Sequence, residues 1–391
     1  MKFLGEAKSV LKVNIRDYGM YIALFVIMLI FTILTDGLFI SSQNISNLLD
    51  STGYIAVLAV GMTLVIVIRH IDLSVGYGAG FMGAIAAIFL TKLGVPVYIT
   101  IPVILVFGII IGLFNGLLVA QIGIPSFVAS LAGMLIFRGA LLNVTESTGT
   151  IIIKNDHFNA IGNGFIPPIA TIGGLHLLSL IIGAVVIFFY IYSEFSKRRN
   201  KMKYNFDVIS KSMFAVKLVF ISAIIAYITY ILSGYNGFSW TVIIMLAVVI
   251  IYHFWTNSTV LGRHIYAVGS NPEAANLSGI SVKKITYIVF GSMGLLSALS
   301  GILFTARLQS ATTTAGTLFE LDAIAAAYVG GVSAAGGVGK VTGSIIGAIV
   351  MASLSNGMNL LGVGISYQYM IRGAVLAVAV IFDVVTRMKR S

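Results

Sequence analysis

Few residues in this 391-residue chain have the types and spacing that chemistry requires. The segment 336–340, with the sequence GGVGK, is similar to a phosphate-binding loop, whose backbone N–H groups hold the phosphates of a nucleotide. Such a loop also needs a glycine where this chain has Ala334, and Ser or Thr where it has Val341. We therefore predict that the chain does not bind ATP, and that a partner or an ion gradient supplies its energy.

Catalytic and metal-binding clusters are not indicated either. The chain has no cysteine, which excludes disulfides, thiol nucleophiles and thiolate metal ligands. Its five histidines are scattered and form no HExxH pair: His70, His157, His176, His253 and His264. The sequence also shows no paired catalytic carboxylates. We therefore expect no enzyme activity, no metal site and no cofactor.

The composition is typical of a membrane protein. Apolar residues make up 58% of the chain and charged residues 9%, with a mean hydropathy of +1.03, whereas soluble domains have roughly 45–50% and 25%. The net charge of +11 could indicate nucleic-acid binding, but the basic residues lie between apolar runs, where they set membrane topology. We predict an all-α, polytopic transmembrane bundle that forms one domain over residues 1–391 and binds no nucleic acid.

About twelve apolar segments are long enough for a hydrocarbon core of ~30 Å. The first, residues 18–34, could be a signal peptide, but it is long and no small-residue cleavage site follows, so we expect a retained span. The segment 321–338 is too broken by glycine to predict a complete crossing. Basic residues flank both ends and favour cytoplasmic termini. They are Lys2, Lys8, Lys12 and Arg16 at one end, and Arg387, Lys389 and Arg390 at the other.

One interval between predicted spans is strongly basic, residues 194–217. Its cations are Lys197, Arg198, Arg199, Lys201, Lys203, Lys211 and Lys217. The positive-inside rule predicts that this interval is cytoplasmic. A role in phospholipid binding or regulation is the alternative interpretation.

A second polar interval, residues 256–285, contains the pattern of one short helix at 271–279. Asn271 is a good N-cap, Pro272 suits the first helical position, and Glu273 complements the positive end of the helix dipole. Gly279 is placed to end the helix in the left-handed conformation. Two helical turns are not stable alone in water, so the helix must dock on something. We expect its small apolar face to be the docking surface: Ala274, Ala275 and Leu277.

Glycine spacing indicates close helix packing. Gly108, Gly112 and Gly116 lie on one helix face, and Gly343 and Gly347 repeat the pattern later. The usual meaning is packing within one subunit, and a dimer interface is the alternative.

Two parts of the chain also share a weakly repeated sequence pattern. Asp72 opens a Gly/Ala-rich segment that is followed by Asn115-Gly116, while Asp322 opens another that is followed by Asn356-Gly357. The predicted topology puts the first pair near the inside and the second near the outside. This is the relation expected of an inverted repeat with broken helices.

The interval 256–285 resembles the cytoplasmic coupling loop of sugar ABC-importer permeases, the ribose, xylose and multiple-monosaccharide group. The resemblance rests on the run 262–269 (GRHIYAVG), then on Asn271, Ala274-Ala275 and 278–280. Further matches cover nearly the whole chain. They are 72–76 (DLSVG), 125–127 with 131–134 and 137–139, 320–326, 336–339, and 356–358.

Details within these matches refine the resemblance. Residues 70–72 and 364–368 are most similar to the multiple-monosaccharide branch. Residues 194–240 resemble an insertion of the longer members, with a basic cytoplasmic loop and an extra helix. Arg69 departs from the pattern, which has a small residue at this position.

The resemblance implies a type II importer permease in a prokaryotic cytoplasmic membrane. Its implied partners are an ATP-binding cassette ATPase, an extracytoplasmic sugar-binding protein, membrane lipid, a monosaccharide substrate and a second copy of the chain. The ATPase would dock on the coupling loop and move its short helix. The residues implied in this coupling are Gly262, Arg263, Gly269, Asn271, Pro272, Glu273, Ala274, Ala275, Leu277, Ser278 and Gly279.

A sugar path requires hydroxyl partners within the spans. The best candidates are Asn115, Tyr328, Asn356 and Asn359. Hydrogen bonding between helices is the alternative role for each of them.

A stand-alone secondary transporter is the competing function. Such carriers bury acidic or histidine relays at mid-membrane, and no relay is indicated in this sequence. Asp72 and Asp322 could simply cap helices, while Arg138 and Arg372 could extend toward the membrane surface. A membrane enzyme or assembly subunit is a third class, and the missing catalytic clusters weigh against it.

Overall fold

Apolar segments in lipid form helices, because each segment can then satisfy its own backbone N–H and C=O groups. A computed structural model describes residues 15–146, 149–206, 208 and 210–388, with side chains described only between residues 19 and 385. The basic residues that predicted cytoplasmic termini lie outside the described residues or have undescribed side chains: Lys2, Lys8, Lys12, Arg16, Arg387, Lys389 and Arg390.

Helices dominate the part of the chain that the structure describes. They are α1 (Ile15–Leu34), α2 (Ser42–Val67), α3 (Val75–Thr91), α4 (Val97–Leu117), α5 (Ser126–Thr145), α6 (Asp156–Asn163), α7 (Leu177–Lys203), α8 (Lys211–Ser233), α9 (Trp240–Ser258), α10 (Val260–Ser270), α11 (Pro272–Leu277), α12 (Val282–Leu308), α13 (Phe319–Val329), α14 (Val341–Leu360) and α15 (Ile365–Met388). Four short strands pair in two antiparallel ribbons: β1 (Thr150–Ile152) with β4 (Ser310–Thr312), and β2 (Thr171–Ile172) with β3 (Leu175–His176).

The helices confirm the predicted polytopic all-α bundle. Nine helices of the described chain are long and apolar enough to cross a membrane, and α3 and residues 19–34 of α1 are shorter apolar helices. Each of the twelve apolar segments of the sequence coincides with a helix, but α13 has only 11 residues. At 1.5 Å per residue it is ~16 Å long, about half of a ~30 Å core. The segment 321–338 is therefore a half-helix followed by a glycine-rich loop.

Helices α2 and α12 form the centre of the bundle. In their most apolar windows 83% and 72% of the residues are buried, against 11% for the peripheral helices α7 and α15. Ser300 Oγ donates to the carbonyl oxygen of Tyr54 at 2.9 Å, and Gly61 packs against Met293. Because early residues of α2 meet late residues of α12, the two helices run antiparallel. We call the end with the C-terminus of α2 and with α10 and α11 the loop end, and the end with α6 the opposite end.

The packing around these two helices is reciprocal. Helix α12 packs on α3 and α4, whereas α2 packs on α13 and α14. Both α3 and α13 begin inside the bundle, where Gly76 lies against Gly316 and Glu320. Each half therefore has one central helix, one short helix that starts at depth and one full span, in opposite directions. This arrangement agrees with the predicted inverted repeat.

Both glycine faces that the sequence singled out are used within the chain. Gly108, Gly112 and Gly116 lie against α12, where a Cβ atom on Gly112 would be 2.2 Å from the carbonyl oxygen of Phe290. Gly343 and Gly347 lie against the backbone of residues 326–330 in the same way. These glycines therefore permit close backbone contact inside one subunit, which decides against the dimer alternative for these two faces.

The basic interval 194–217 lies at the loop end. Helix α7 starts at the opposite end, where Ser179 Oγ accepts a hydrogen bond of 3.2 Å from the N–H of Phe238. Its last turns, with most of the cations, therefore extend toward the loop end. Glu194 pairs with Lys197 on the same helix at 3.4 Å, and its ion pair with Lys217 at 2.5 Å holds the interval to α8.

Candidate functional site

The coupling-loop residues form two consecutive helices that are held differently by the bundle. Thr259 caps α10, since its Oγ1 accepts from the N–H of Gly262 at 3.1 Å. The buried face of α10 comprises Gly262, Ile265, Val268 and Gly269. A Cβ atom on Gly269 would lie 1.9 Å from the carbonyl oxygen of Val67, so only glycine permits this contact. Gly262 and Gly269 therefore seat α10 against the bundle, whereas Arg263 is exposed.

Helix α11 confirms the predicted helix within 271–279, including its caps. Asn271 Oδ1 accepts from the N–H of Ala274 at 3.0 Å, and Pro272 is the first helical residue. Gly279 has φ +84°. The N–H of Gly279 donates to Asn276 and that of Ile280 to Ala275, both at 3.0 Å, which is the hydrogen-bond pattern of a Schellman motif. Both ends of this six-residue helix are thus fixed by its own sequence.

The predicted apolar face of α11 is divided. Ala275 is 5% exposed and packs into its own chain. The prediction that it belongs to an exposed docking face was therefore wrong. Ala274 and Glu273 are exposed, and Leu277 is 89% exposed. Ser278 is also exposed at the C-cap. We call the exposed set the docking surface: Arg263, Glu273, Ala274, Leu277 and Ser278.

Three segments meet directly behind α11. The N–H of Gly337 donates to the carbonyl oxygen of Val67 at 2.8 Å. Arg69, which follows α2, donates from Nε to the carbonyl oxygen of Gly269 at 2.6 Å and from Nη2 to that of Ser270. The sequence marked Arg69 only as a departure from the family pattern. We call this contact the α2–α10 joint, formed by residues 67–69, 269–270 and 336–337.

Tyr266 ties α10 to the same glycine-rich loop. Its hydroxyl donates to the carbonyl oxygen of Gly339 at 2.7 Å. Burial raises the pKa of Tyr266, which keeps the phenol protonated as a donor. The amide of Gly337 is engaged with Val67 at the end of α2, and Gly337 also lies against Ser270. Segment 336–340 therefore packs between α2 and the coupling loop, and this agrees with the prediction that it is not a phosphate loop.

The substrate-path candidate Asn115 lies in a buried network. It is 4% exposed, and its Nδ2 donates to Ser74 Oγ at 2.9 Å. Ser74 in turn donates to Asp72 Oδ1 from its hydroxyl at 2.6 Å and from its N–H at 2.9 Å. These bonds hold the turn before α3 against α4. The geometry thus favours a structural role for Asn115. Asp72 fixes the turn before α3 and does not cap the helix as expected from the sequence, because it bonds Ser74, the N-cap residue itself.

The other candidates are placed apart from Asn115. Asn356 and Asn44 exchange two amide hydrogen bonds, of 2.9 and 3.0 Å, between α14 and α2. Asn359 Oδ1 accepts from Gln368 Nε2 at 2.7 Å, which joins α14 to α15. Tyr328 is half-buried on α13. The four candidates therefore do not form one cluster, and Tyr328 is the one for which a path role stays the simplest prediction.

Asn356 gives a test that separates the two roles. We expect Asn356→Ala to lower the free energy of unfolding by about 1 kcal/mol, because it removes an interhelical amide pair and leaves Asn44 Oδ1 without its donor. Thermal unfolding in detergent measures this loss. Asn44→Ala is the matched variant, and the double variant should lose little more than either single one. Altered sugar selectivity without a loss of stability would instead place Asn356 in the path.

Two ion pairs inside the bundle were not predicted from the sequence. Arg372 Nη1 is 3.4 Å from Asp322 Oδ1, and both side chains are about a quarter exposed, at 27% and 26%. Arg307 Nη1 is 4.0 Å from Asp50 Oδ2, and Asp50 also accepts from Ser239 Oγ. The expectation that Arg372 extends toward the membrane surface was therefore wrong, because its guanidinium pairs with Asp322 inside the bundle. Each pair joins residues at least 50 positions apart, so no local pattern could reveal it.

Known proteins are similar to this chain over nearly its whole length. Residues 44–380 match the family described as "Branched-chain amino acid transport system / permease component". The chain is 39% identical to the xylose transport system permease protein XylH of Haemophilus influenzae, over 96% of this chain and 98% of that protein. It is 38% identical to XylH of Escherichia coli K12, over 98% of this chain and 95% of that protein.

A second group of relatives is named for a different sugar. The chain is 34% identical to the ribose import permease protein RbsC of H. influenzae, over 93% of this chain and 91% of that protein. No solved structure matches the chain. The relatives are transport permeases, and the helical bundle is that of a multi-pass membrane protein. The chain therefore belongs to the family of the branched-chain amino acid transport system permease component.

Proposed function

We propose that the chain is the transmembrane permease subunit of an ABC importer for a monosaccharide, with an aldopentose such as xylose as the first candidate. The relatives named for xylose and ribose transport match over nearly the full length of both chains, which supports a sugar. The sequence motifs that resemble sugar ABC-importer permeases, from DLSVG at 72–76 to the coupling loop, support the same class. The permease itself does no bond chemistry and needs no cofactor.

The observation that carries this proposal is helix α11, which is capped at both ends and exposes Leu277 to solvent. Its N-cap and Schellman motif fix the backbone, while Leu277 is 89% exposed at its tip. A leucine side chain gains about 2 kcal/mol when it is fully buried, so a partner that receives it binds more tightly. We assign this partner as the ATPase, which supplies the energy that the chain cannot obtain from ATP by itself.

Charge supports a cytoplasmic position for the loop end. Described basic residues concentrate there, with few at the opposite end. Those at the loop end include Lys197, Arg199, Lys201, Lys203, Lys211, Arg263, Lys283 and Lys284, whereas Lys92, Lys154 and Arg307 belong to the opposite end. Helix α1 runs from the loop end and α15 returns to it. Both termini would therefore be cytoplasmic in a prokaryotic inner membrane.

The transport cycle follows from the two ends of the bundle. A sugar-loaded binding protein docks at the opposite end, where α6 and the β1–β4 ribbon lie. ATP binding then moves the ATPases and with them α11. In a dimer of two permease copies, this motion switches the packing between outward- and inward-open states. Membrane lipid contacts the peripheral helices, whose apolar side chains are largely exposed.

Reconstitution tests the proposal against the competing secondary transporter. The chain is incorporated into lipid vesicles alone, or together with its ATPase and binding protein, and the uptake of radiolabelled xylose is measured. We expect uptake only in the complete complex with ATP, and none with a non-hydrolysable analogue. Uptake by the chain alone that is abolished by an ionophore would overturn the proposal in favour of a secondary transporter.

A further inference from the structure

The α2–α10 joint contains a backbone conformation that side chains rarely adopt. Arg69 has φ +66°, in the left-handed region where glycine is the usual residue. A non-glycine residue persists there only when its surroundings fix it. Here the surroundings are the carbonyl oxygens of Gly269 and Ser270, which the Arg69 guanidinium engages from the end of α2.

These two carbonyls are the ones that a cation stabilises best. They belong to the last residues of α10, where helix carbonyls lack intrahelical partners and carry partial negative charge. The guanidinium presents several donors in a fixed plane, so it engages both oxygens at once. One residue, Asn271, separates this contact from α11. The guanidinium therefore binds the C-terminal carbonyl groups of α10 directly behind the docking surface.

Close backbone contact makes the joint stiff. Gly269 lies against the carbonyl oxygen of Val67, and a Cβ atom on Gly336 would be 2.4 Å from Cγ of Arg69. The N–H of Gly337 completes the joint through its 2.8 Å hydrogen bond to Val67. Tightly packed backbones move together or switch between discrete arrangements, since they cannot compress. A displacement of α10 therefore reaches the end of α2, the most buried helix in its apolar window.

We propose that Arg69 is a positioning residue that transmits the displacement of α11 to α2 and so couples ATP hydrolysis to sugar movement. The covalent connections of α11 lead to α10 and α12, whereas α2 is linked to the coupling loop through this joint. The inference rests on the proposed ABC-importer function. It adds that removal of the guanidinium uncouples ATP hydrolysis from sugar movement, while the permease still assembles with the ATPase.

The test uses the complete complex in lipid vesicles, with ATP hydrolysis and xylose uptake measured on the same sample. Arg69→Gly removes the guanidinium and also relieves the left-handed backbone, so its folding is not at risk from strain. Arg69→Lys keeps the charge but cannot engage both carbonyls in one plane. Arg199→Ala, which deletes a cation near the end of α7 and away from the α2–α10 joint, is the control. Assembly with the ATPase is checked by co-purification.

We expect Arg69→Gly to assemble and hydrolyse ATP, with uptake per ATP reduced at least about fivefold, Arg69→Lys to be intermediate and Arg199→Ala to resemble the parent. Unchanged uptake per ATP in Arg69→Gly would overturn the inference. Loss of assembly would also overturn it, because Arg69 would then serve docking. A parent complex without ATP-dependent uptake would refute the proposed function itself, which keeps the two failures distinct.

The absence of cysteine from the chain permits a second measurement. In the R69C/S270C variant, a short bifunctional thiol reagent can replace the guanidinium contact with a covalent link. We expect the unlinked variant to be uncoupled and the linked one to recover most of its uptake per ATP. Equal coupling with and without the link would show that the joint transmits no displacement.

Discussion

Leu277→Asp is expected to abolish association with the ATPase and, with it, ATP-dependent uptake. The substitution removes about 2 kcal/mol of leucine burial and forces the partner to desolvate a carboxylate, which costs about as much again or more. Together these terms raise the dissociation constant by more than ~100-fold. Co-purification and a titration of the ATPase against the permease in detergent measure the change.

The control for this substitution lies next to it. Asn276→Asp adds the same charge to an exposed position of α11 without removing the leucine. We expect its effect on affinity to be several-fold smaller. Glu273→Arg reverses the one acidic side chain in the first turn of α11 and is expected to weaken docking as well. If Leu277→Asp and Glu273→Arg both bound the ATPase normally, the docking surface would have to lie elsewhere.

Gly112→Leu is expected to prevent correct packing of the bundle. A Cβ atom at this position would lie 2.2 Å from the carbonyl oxygen of Phe290, and 3.0 Å from backbone atoms of Gly294. Backbone cannot yield as a flexible side chain can, so α4 must separate from α12, at a cost of about 3 kcal/mol or more. Size-exclusion chromatography and thermal unfolding of the detergent-solubilised protein measure the effect.

Gly139→Leu provides a matched comparison for Gly112→Leu. It makes the same change on α5, where no atom lies within 4 Å of the added Cβ position. We expect this variant to behave like the parent protein. A normal chromatographic profile and melting temperature for Gly112→Leu would show that α4 and α12 do not depend on this contact.

The sequence was sufficient for features that depend on local chemistry. Apolar length predicted the full-length membrane spans, since lipid requires internally satisfied backbones, whereas the half-helix α13 was left open. Asn271, Pro272 and Gly279 predicted α11 with its caps, because capping involves residues within one turn of each other. The missing Ser or Thr after Lys340 excluded a phosphate loop for the same reason. Resemblance of the sequence motifs to those of known permeases was also enough to indicate the sugar ABC-importer class.

Only the tertiary structure decided features that depend on distant partners. It separated Ala275, which is buried, from Leu277, which is exposed, on a helix where both are apolar. It paired Asn356 with Asn44 and Asp322 with Arg372, and it placed the Arg69 guanidinium on the end of α10, 200 positions away in the chain. Short-range pattern determines where a helix begins and ends. Which face is buried and which polar group finds a partner depends on packing between helices far apart in sequence.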